Sequence, residues 1–433
     1  MSFFYAVKND KNNSLFLWIF AFFLAIGCAG IHTYEENQKL QTAYEHNRYY
    51  GVWTKEGVRM EEGIPKRQEL PVMKEKDSLD NLQAGYAVLM DGTNGRVLYE
   101  KKGNEKAPMA STTKIMTLIV ALENGNGEDL VTVSSNAARQ PDVKLHIQTG
   151  EQYRLKDLLY SMILESHNDS AVAIAEHIGG SVEGFAKMMN DKAKQLGAYD
   201  TNFVTPNGLD AKKHYTTARD LALIARYCLS NRQFCEMIQT RTYQFHEQTK
   251  GRSLTVNNKN RFLDLYEGAI GIKTGFTGKA GYCFVGGIEK EGKKLISVVL
   301  ACGWPPHKNY KWQDTTRLMN YGINEYTKKT VVEKNISFQK IKIQNGIQYK
   351  ECIPYTKDRV SLLVKGDDRI TYDVCIPKTL EAPVKKNQNV GILKIYINGK
   401  EYQDISLYSD VNCEKITYQY CFLKILKSYI NGG

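Results

Sequence analysis

The chain contains no C-x-x-C pair and no Cys/His cluster at zinc-ligand spacing, which excludes a zinc-binding module. Its nine cysteines, Cys28, Cys228, Cys235, Cys283, Cys302, Cys352, Cys375, Cys413 and Cys421, are scattered. That scatter is unlike the disulfide framework of a small secreted domain, and buried free thiols are expected. Cys352 and Cys375 are one pair close enough in the C-terminal β region to be bridged. There is no internal repeat and no compact basic-aromatic motif. The formal net charge of +11 therefore points away from nucleic acid and towards anionic lipid or an anionic wall polymer. No apolar run reaches a comfortable membrane span. Leu15 to Ile31 is long for a signal-peptide core and short for a full crossing. It reads as a cleaved signal or an N-terminal anchor, and either sends the body across a membrane.

What is present is an ordinary globular composition, 42% hydrophobic and 24% charged over 433 residues, enough for two or three domains. Residues 1–31 form the leading segment and 32–80 a charged spacer with room for a short helix around Glu35 to Arg48. The folded body opens with two strands, Tyr86–Met90 and Val97–Glu100, around a turn at Asp91–Gly95. Helical spacing follows from Ile115 to Leu122, Leu155 to Leu164, Asp169 to Ile178, Val182 to Leu196 and Thr216 to Leu229. Extended runs return at Ala269–Thr274, Tyr282–Ile288 and Leu295–Ala301, and Lys311 to Tyr326 is helical again. The economical arrangement over 81–328 is α+β: one antiparallel sheet built from both ends of the domain, with a helical cluster inserted. Short β runs fill 329–415 as a separate small all-β domain. Residues 416–433 form an amphipathic helix, with Phe422, Ile425, Leu426, Tyr429 and Ile430 on one side and Lys424 and Lys427 on the other. It suits either a membrane surface or the β domain.

Three short motifs occur in order: Ser111-Thr112-Thr113-Lys114, Ser166-His167-Asn168 and Lys273-Thr274-Gly275. Alone, S-x-x-K is weak; about one or two copies are expected by chance in a chain of this length. A second copy stands at Ser337–Lys340, and Ser134-Ser135-Asn136 competes with the S-x-N. Context separates them. Ser111 follows a hairpin and opens an apolar helix, whereas Ser337 lies in a β-patterned tail with no later K-T-G. The ordered set S-x-x-K, S-x-N, K-T-G carries the parts of an acyl-transfer site. A serine hydroxyl needs a base, and Lys114 lies one helical turn away. A lysine acts as a base only when neutral, which burial and the nearby Lys273 cation favour.

These motifs and their flanks, Pro108–Thr117, Ser166–Ala171, Tyr215–Asp220 and Gly271–Thr277, resemble the serine-type D-alanyl-D-alanine carboxypeptidases, the low-molecular-mass penicillin-binding proteins. The resemblance is strong over residues 84–326 and weaker in the tail. It implies the penicillin-recognising serine-enzyme fold. It also implies peptidoglycan stem peptides ending in D-Ala-D-Ala as substrate, β-lactam antibiotics as acylating ligands, no cofactor or metal, and work outside the cytoplasm in the cell wall. By resemblance Ser111 is the nucleophile, Lys114 its base and Ser166 a proton shuttle. Asn168, Lys273, Thr274, Gly275, Phe276 and Arg219 bind substrate, with the Ser111 and Phe276 N–H groups as oxyanion hole. Where some relatives carry an Arg after the Gly that ends the last strand, this chain has Trp304 after Gly303. Carboxylate recognition then rests on Lys273, Thr274 and Arg219. A β-lactamase is the rival enzyme, but no E-x-x-x-N follows Ser166. A non-catalytic wall-binding protein is the other rival, and the intact triplet argues against it.

Overall fold

The computed structural model describes residues 48–54, 57–62 and 79–430. The apolar segment Leu15–Ile31 and most of the helix expected around Glu35 lie outside the described residues.

The unit that carries the three motifs is organised by five antiparallel strands: β1 (Ala84–Asp91), β2 (Val97–Lys101), β3 (Ala269–Thr277), β4 (Gly281–Lys290) and β5 (Lys293–Cys302). Their order across the sheet is β2-β1-β5-β4-β3, so the first and last segments of the unit meet at the centre and β3 forms an edge. Both faces are covered, and the period-2 alternation of strand side chains divides the apolar residues between two cores. Val88 and Met90 of β1, with Ile296, Val298 and Leu300 of β5, enter one core. Ala87, Leu89, Leu295 and Val299 enter the other. This two-sided burial explains why the strands read as apolar runs rather than as a clean alternation.

The first core is filled by the inserted helices α1 (Lys114–Asn124), α2 (Leu155–Glu165), α3 (Asn168–Gly179), α4 (Val182–Gln195) and α5 (Ala218–Cys228). Thr217 caps α5, its side chain accepting from the Asp220 N–H at 3.0 Å. Helix α6 (Tyr310–Glu325) lies on the other face through Trp312, Leu318 and Met319. Its Asp314 carboxylate accepts from the Ala84 N–H at 2.7 Å and ties α6 to the start of the sheet.

The C-terminal unit is built on a six-stranded sheet that includes Ile370–Cys375, Asn389–Ile397 and Lys400–Ser409. Two of its strands come from the region expected to be a spacer. Arg48–Thr54 pairs antiparallel with Ile370–Cys375, and Gly57–Glu62 pairs with Arg48–Thr54. The run Arg48-Tyr49-Tyr50-Gly51-Val52-Trp53-Thr54 is rich in aromatic and β-branched residues, and its polar flanks hid that preference. Cys352 and Cys375 form no disulfide bridge, and the Cys352 thiol donates to Ser409 Oγ at 3.3 Å. Helix α7 (Tyr418–Ile430) buries none of its residues.

Candidate active site

Ser111 sits in a 3-10 turn, Ala110–Thr113, that leads directly into α1. The turn is held by its own hydroxyls. Thr112 Oγ1 donates to the Met109 carbonyl at 2.6 Å and Thr113 Oγ1 to the Ala110 carbonyl at 2.8 Å. Ala110 adopts φ +48°, an uncommon angle for a residue with a Cβ, and the strain presents Ser111 outward. The hydroxyl of Ser111 opens onto a cleft of about 540 Å³ that Ser166, Lys273, Thr274, Gly275 and Phe276 also line.

Lys114 is fully buried. Its Nζ lies 2.9 Å from Ser111 Oγ, 2.8 Å from Asn168 Oδ1 and 2.6 Å from the Asn207 carbonyl. Two of these partners can only accept. A neutral amine has two N–H donors and one lone pair. A neutral Lys114 that donates to Asn168 and Asn207 would have its lone pair left for the Ser111 hydroxyl, which here accepts from Lys114 Nζ and donates to the Asn207 carbonyl at 3.4 Å. Burial, then the Lys273 charge, push the Lys114 pKa well below the ordinary lysine range, with Asp169 opposing. Asn168 cannot flip, because its Nδ2 donates to the Pro141 and Asp142 carbonyls at 3.1 and 3.2 Å.

Ser166 occupies the joint between α2 and α3 at φ +71°. Its Oγ is buried and has no hydrogen-bond partner. An unsatisfied hydroxyl in a cleft wall is costly unless a ligand completes it. Lys273 and Thr274 lie on the edge strand β3, and burial pushes the Lys273 pKa down to about 7. A Cβ added at Gly275 would stand 2.9 Å from the Ser111 nitrogen and 3.1 Å from that of Thr112, so only glycine lets the strand approach the nucleophile's turn.

Arg219 is a correction. It does not line the cleft. Its guanidinium ion-pairs with Glu100 at 2.6 Å and its backbone N–H donates to the Gly103 carbonyl. The first turn of α5 faces β2, so the arginine serves the scaffold. Trp304 likewise turns to a neighbouring loop, its Nε1 donating to the Gly278 carbonyl at 2.9 Å. His167 is structural, 2.7 Å from Ser161 Oγ through Nδ1.

Sequence reasoning missed Asn207, which acts through its carbonyl, and His214. The Pro206-Asn207-Gly208 turn was the available signal: Gly208 has φ +85°, and a Cβ there would meet the Ala110 oxygen at 2.0 Å. His214 supports the same loop, its Nδ1 accepting from the Val204 N–H at 3.0 Å and its Nε2 lying 2.9 Å from Thr113 Oγ1.

Residues 72–303 match the family described as D-alanyl-D-alanine carboxypeptidase, more than half of the chain. The chain belongs to that family. It is a serine peptidase, a D-alanyl-D-alanine carboxypeptidase with the penicillin-binding fold. Residues 326–415 match the C-terminal domain of penicillin-binding protein 5. The carboxypeptidase is 33% identical to D-alanyl-D-alanine carboxypeptidase DacF of Bacillus subtilis, over 73% of this chain and 82% of the relative. It is 28% identical to DacC of Escherichia coli, over 76% and 84%. Crystal structures of penicillin-binding protein 5 from Haemophilus influenzae align with a TM-score of 0.66 at 26% identity, covering 79% of this chain and 100% of that one. Membership implies peptidoglycan stem peptides as substrate, binding of β-lactams and work outside the bacterial cytoplasm.

Proposed function

We propose that Ser111 forms the acyl-enzyme of this carboxypeptidase and that neutral Lys114 is its general base. The observation that supports this reading is the fully buried Lys114 amine 2.9 Å from Ser111 Oγ, whose carbonyl partners on Asn168 and Asn207 would take both N–H donors of the neutral form and leave its lone pair for the Ser111 proton. Ser111 Oγ attacks the penultimate D-Ala carbonyl while its proton passes to Lys114 Nζ. The tetrahedral oxyanion accepts from the Ser111 and Phe276 N–H groups. As the C–N bond breaks, the proton reaches the departing D-Ala nitrogen through Ser166 Oγ. Water, deprotonated by Lys114, then releases the shortened peptide and restores the serine. Asn168 orients the base and the substrate amide. Lys273 and Thr274 face the D-Ala carboxylate, and Gly275 lets the peptide lie along β3. D-Alanine release from an acyl-D-Ala-D-Ala peptide tests this. Ser111→Ala is expected to abolish it and Lys114→Met to lower it by about 10²–10⁴-fold. Full turnover by Ser111→Ala would refute the reading.

Attachment to a membrane surface is supported by α7. Phe422, Ile425 and Tyr429 are 64%, 66% and 87% exposed on a helix that also carries Lys424 and Lys427. No helix among the described residues is long and apolar enough to cross a membrane. The helix therefore acts by lying in the interface.

A further inference from the structure

A second cavity, of about 520 Å³, lies away from the Ser111 cleft and shares no lining residue with it. Along β4 the cleft takes Tyr282 and the cavity takes Glu289, roughly 23 Å apart at the usual rise of a strand. The C-terminal end of α5, the turn at Asp91–Gly95 and the hairpin turn between β4 and β5 wall it. Three cations converge there, Arg226 from α5, Lys294 from β5, and Lys328. The acid in the lining, Glu289, lies 3.5 Å from Lys294 and is well exposed, so it offsets one charge at most. Among the described residues no carboxylate lies within ion-pairing distance of Arg226 or Lys328. Arg226 is half-buried. One of its Nη atoms donates to the Thr93 carbonyl at 2.9 Å, while its Nε is buried without a hydrogen-bond partner. A cation near a helix C-terminus is favoured by the helix dipole, which accounts for Arg226 but not for the two lysines brought to the same hollow from elsewhere in the chain. Like charges gathered in this way repel one another, and an anion between them relieves the repulsion.

The chemistry of that anion follows from the lining. A guanidinium fork matches two oxygens of an oxyanion, and the flexible ammonium groups add point charges beside it. The rest of the lining is apolar, Leu196, Leu223 and Leu229 with the Tyr227 ring, and suits the C–H face of a polyol or sugar. The space is that of a small organic unit rather than of a bare ion. A polyol linked by phosphodiesters stays charged at every accessible pH and alternates C–H faces with charges, as this lining alternates apolar and cationic residues. Successive phosphates can meet Arg226 and Lys328 together. Of the apolar lining residues only Tyr227 is exposed, at 36%, so nothing here reaches into a bilayer. The enzyme works outside the cytoplasm, and its formal net charge of +11 draws it to polyanions. We propose that this cavity binds a phosphodiester-linked polyol unit of an anionic wall polymer, and so holds the enzyme on the wall without occupying the Ser111 cleft.

The test measures binding of a synthetic glycerol phosphate hexamer to the full chain by isothermal titration calorimetry. Arg226→Gln is expected to weaken it about tenfold or more, Lys328→Gln about fourfold, and the two together about 30-fold or more. Penicillin acylation is expected to be unchanged in all three. Lys328 is exposed, so its variant reads the loss by itself should Arg226→Gln fail to fold. Lys342→Gln with Lys378→Gln removes two positive charges from a hollow of the C-terminal unit and is expected to leave the affinity within about twofold. Equal losses in the two double variants would reduce the binding to net charge and overturn the proposal. Equally tight binding of hexaglutamate would overturn the phosphate assignment, and a wild-type protein without affinity for the hexamer would overturn the whole. Phosphatidylglycerol vesicles are the remaining arm. Vesicle binding lost in the Arg226 and Lys328 variants, with the hexamer unbound, would give the cavity to a lipid headgroup and overturn the polymer.

Discussion

Two lysines face one serine, and their charges are set by burial rather than by acid partners. The sign of the pH dependence follows. Lys114 must lose its proton before it can accept that of Ser111, so acylation rises with pH through its lowered pKa. Lys273 must stay charged to hold a carboxylate, and its pKa of about 7 makes binding weaken as pH rises past neutrality. The expected kcat/KM profile is a bell. Lys273→Arg, which remains charged at all accessible pH, is expected to shift its falling limb upward by a unit or more; an unmoved limb would detach Lys273 from that limb. Stability runs the other way. A lysine with a depressed folded pKa destabilises the fold below its unfolded pKa, and that penalty fades as pH rises from about 7 towards the ordinary lysine value of 10.5. Lys273→Met is therefore expected to raise Tm at pH 7 by about 2–4 °C while impairing catalysis, as read by calorimetry. Gly275→Ala is expected to slow acylation about 10²-fold and to lower stability as well, because the added methyl meets the Ser111 backbone nitrogen at 2.9 Å and the core residue Ala110 at 3.1 Å. At this scale the motif residues were legible because each acts through its own side chain. Asn207 was not, because a backbone carbonyl leaves no residue-type signature. Arg219 misled because the sequence cannot say which way the first turn of α5 faces.

At the scale of elements, the site is a meeting of ends. The 3-10 turn before α1, the joint between α2 and α3, and the edge strand β3 each contribute one motif. The helix and strand periods were readable because long amphipathic runs carry them, and the glycine pair at 179–180 marked the break between α3 and α4. The turn bearing Asn207 is held by His214, whose Nδ1 accepts from the Val204 N–H and weakly from the Thr205 N–H at 3.4 Å. Its Nε2 is then the protonated nitrogen, directed at Thr113. Burial pushes its pKa from 6.5 to about 4. A depressed folded pKa means that the unfolded chain binds the proton first. Stability is thus full above about pH 6.5 and falls as pH drops towards 4. His214→Gln is expected to flatten this acid loss by about 2–3 kcal/mol in urea titrations at pH 7 and 4.5. Equal pH sensitivity in both proteins would contradict the assignment of that proton.

At the scale of the whole molecule, the catalytic and C-terminal units draw on the chain differently. The catalytic unit is nearly continuous, which is why its fold class was legible from one pass along the sequence. The C-terminal unit takes a strand pair from residues 48–62, and its strand Arg48–Thr54 joins Ile370–Cys375 some 320 positions later. Pairing at such separation carries no local signal, so the segment read as a spacer. Helix α7 remains exposed at the other end. Removing residues 418–433 is expected to leave penicillin acylation unchanged and to lower sedimentation with anionic phospholipid vesicles by about tenfold or more. Unchanged vesicle binding would assign the attachment elsewhere.

The most direct measurement is to react the protein with penicillin and map the adduct by mass spectrometry of its peptides. One penicilloyl group is expected, on the peptide containing Ser111, lost in Ser111→Ala and formed far more slowly in Lys114→Met. An adduct on any other residue, or labelling that persists in Ser111→Ala, would contradict a hydroxyl activated by its buried neighbouring amine.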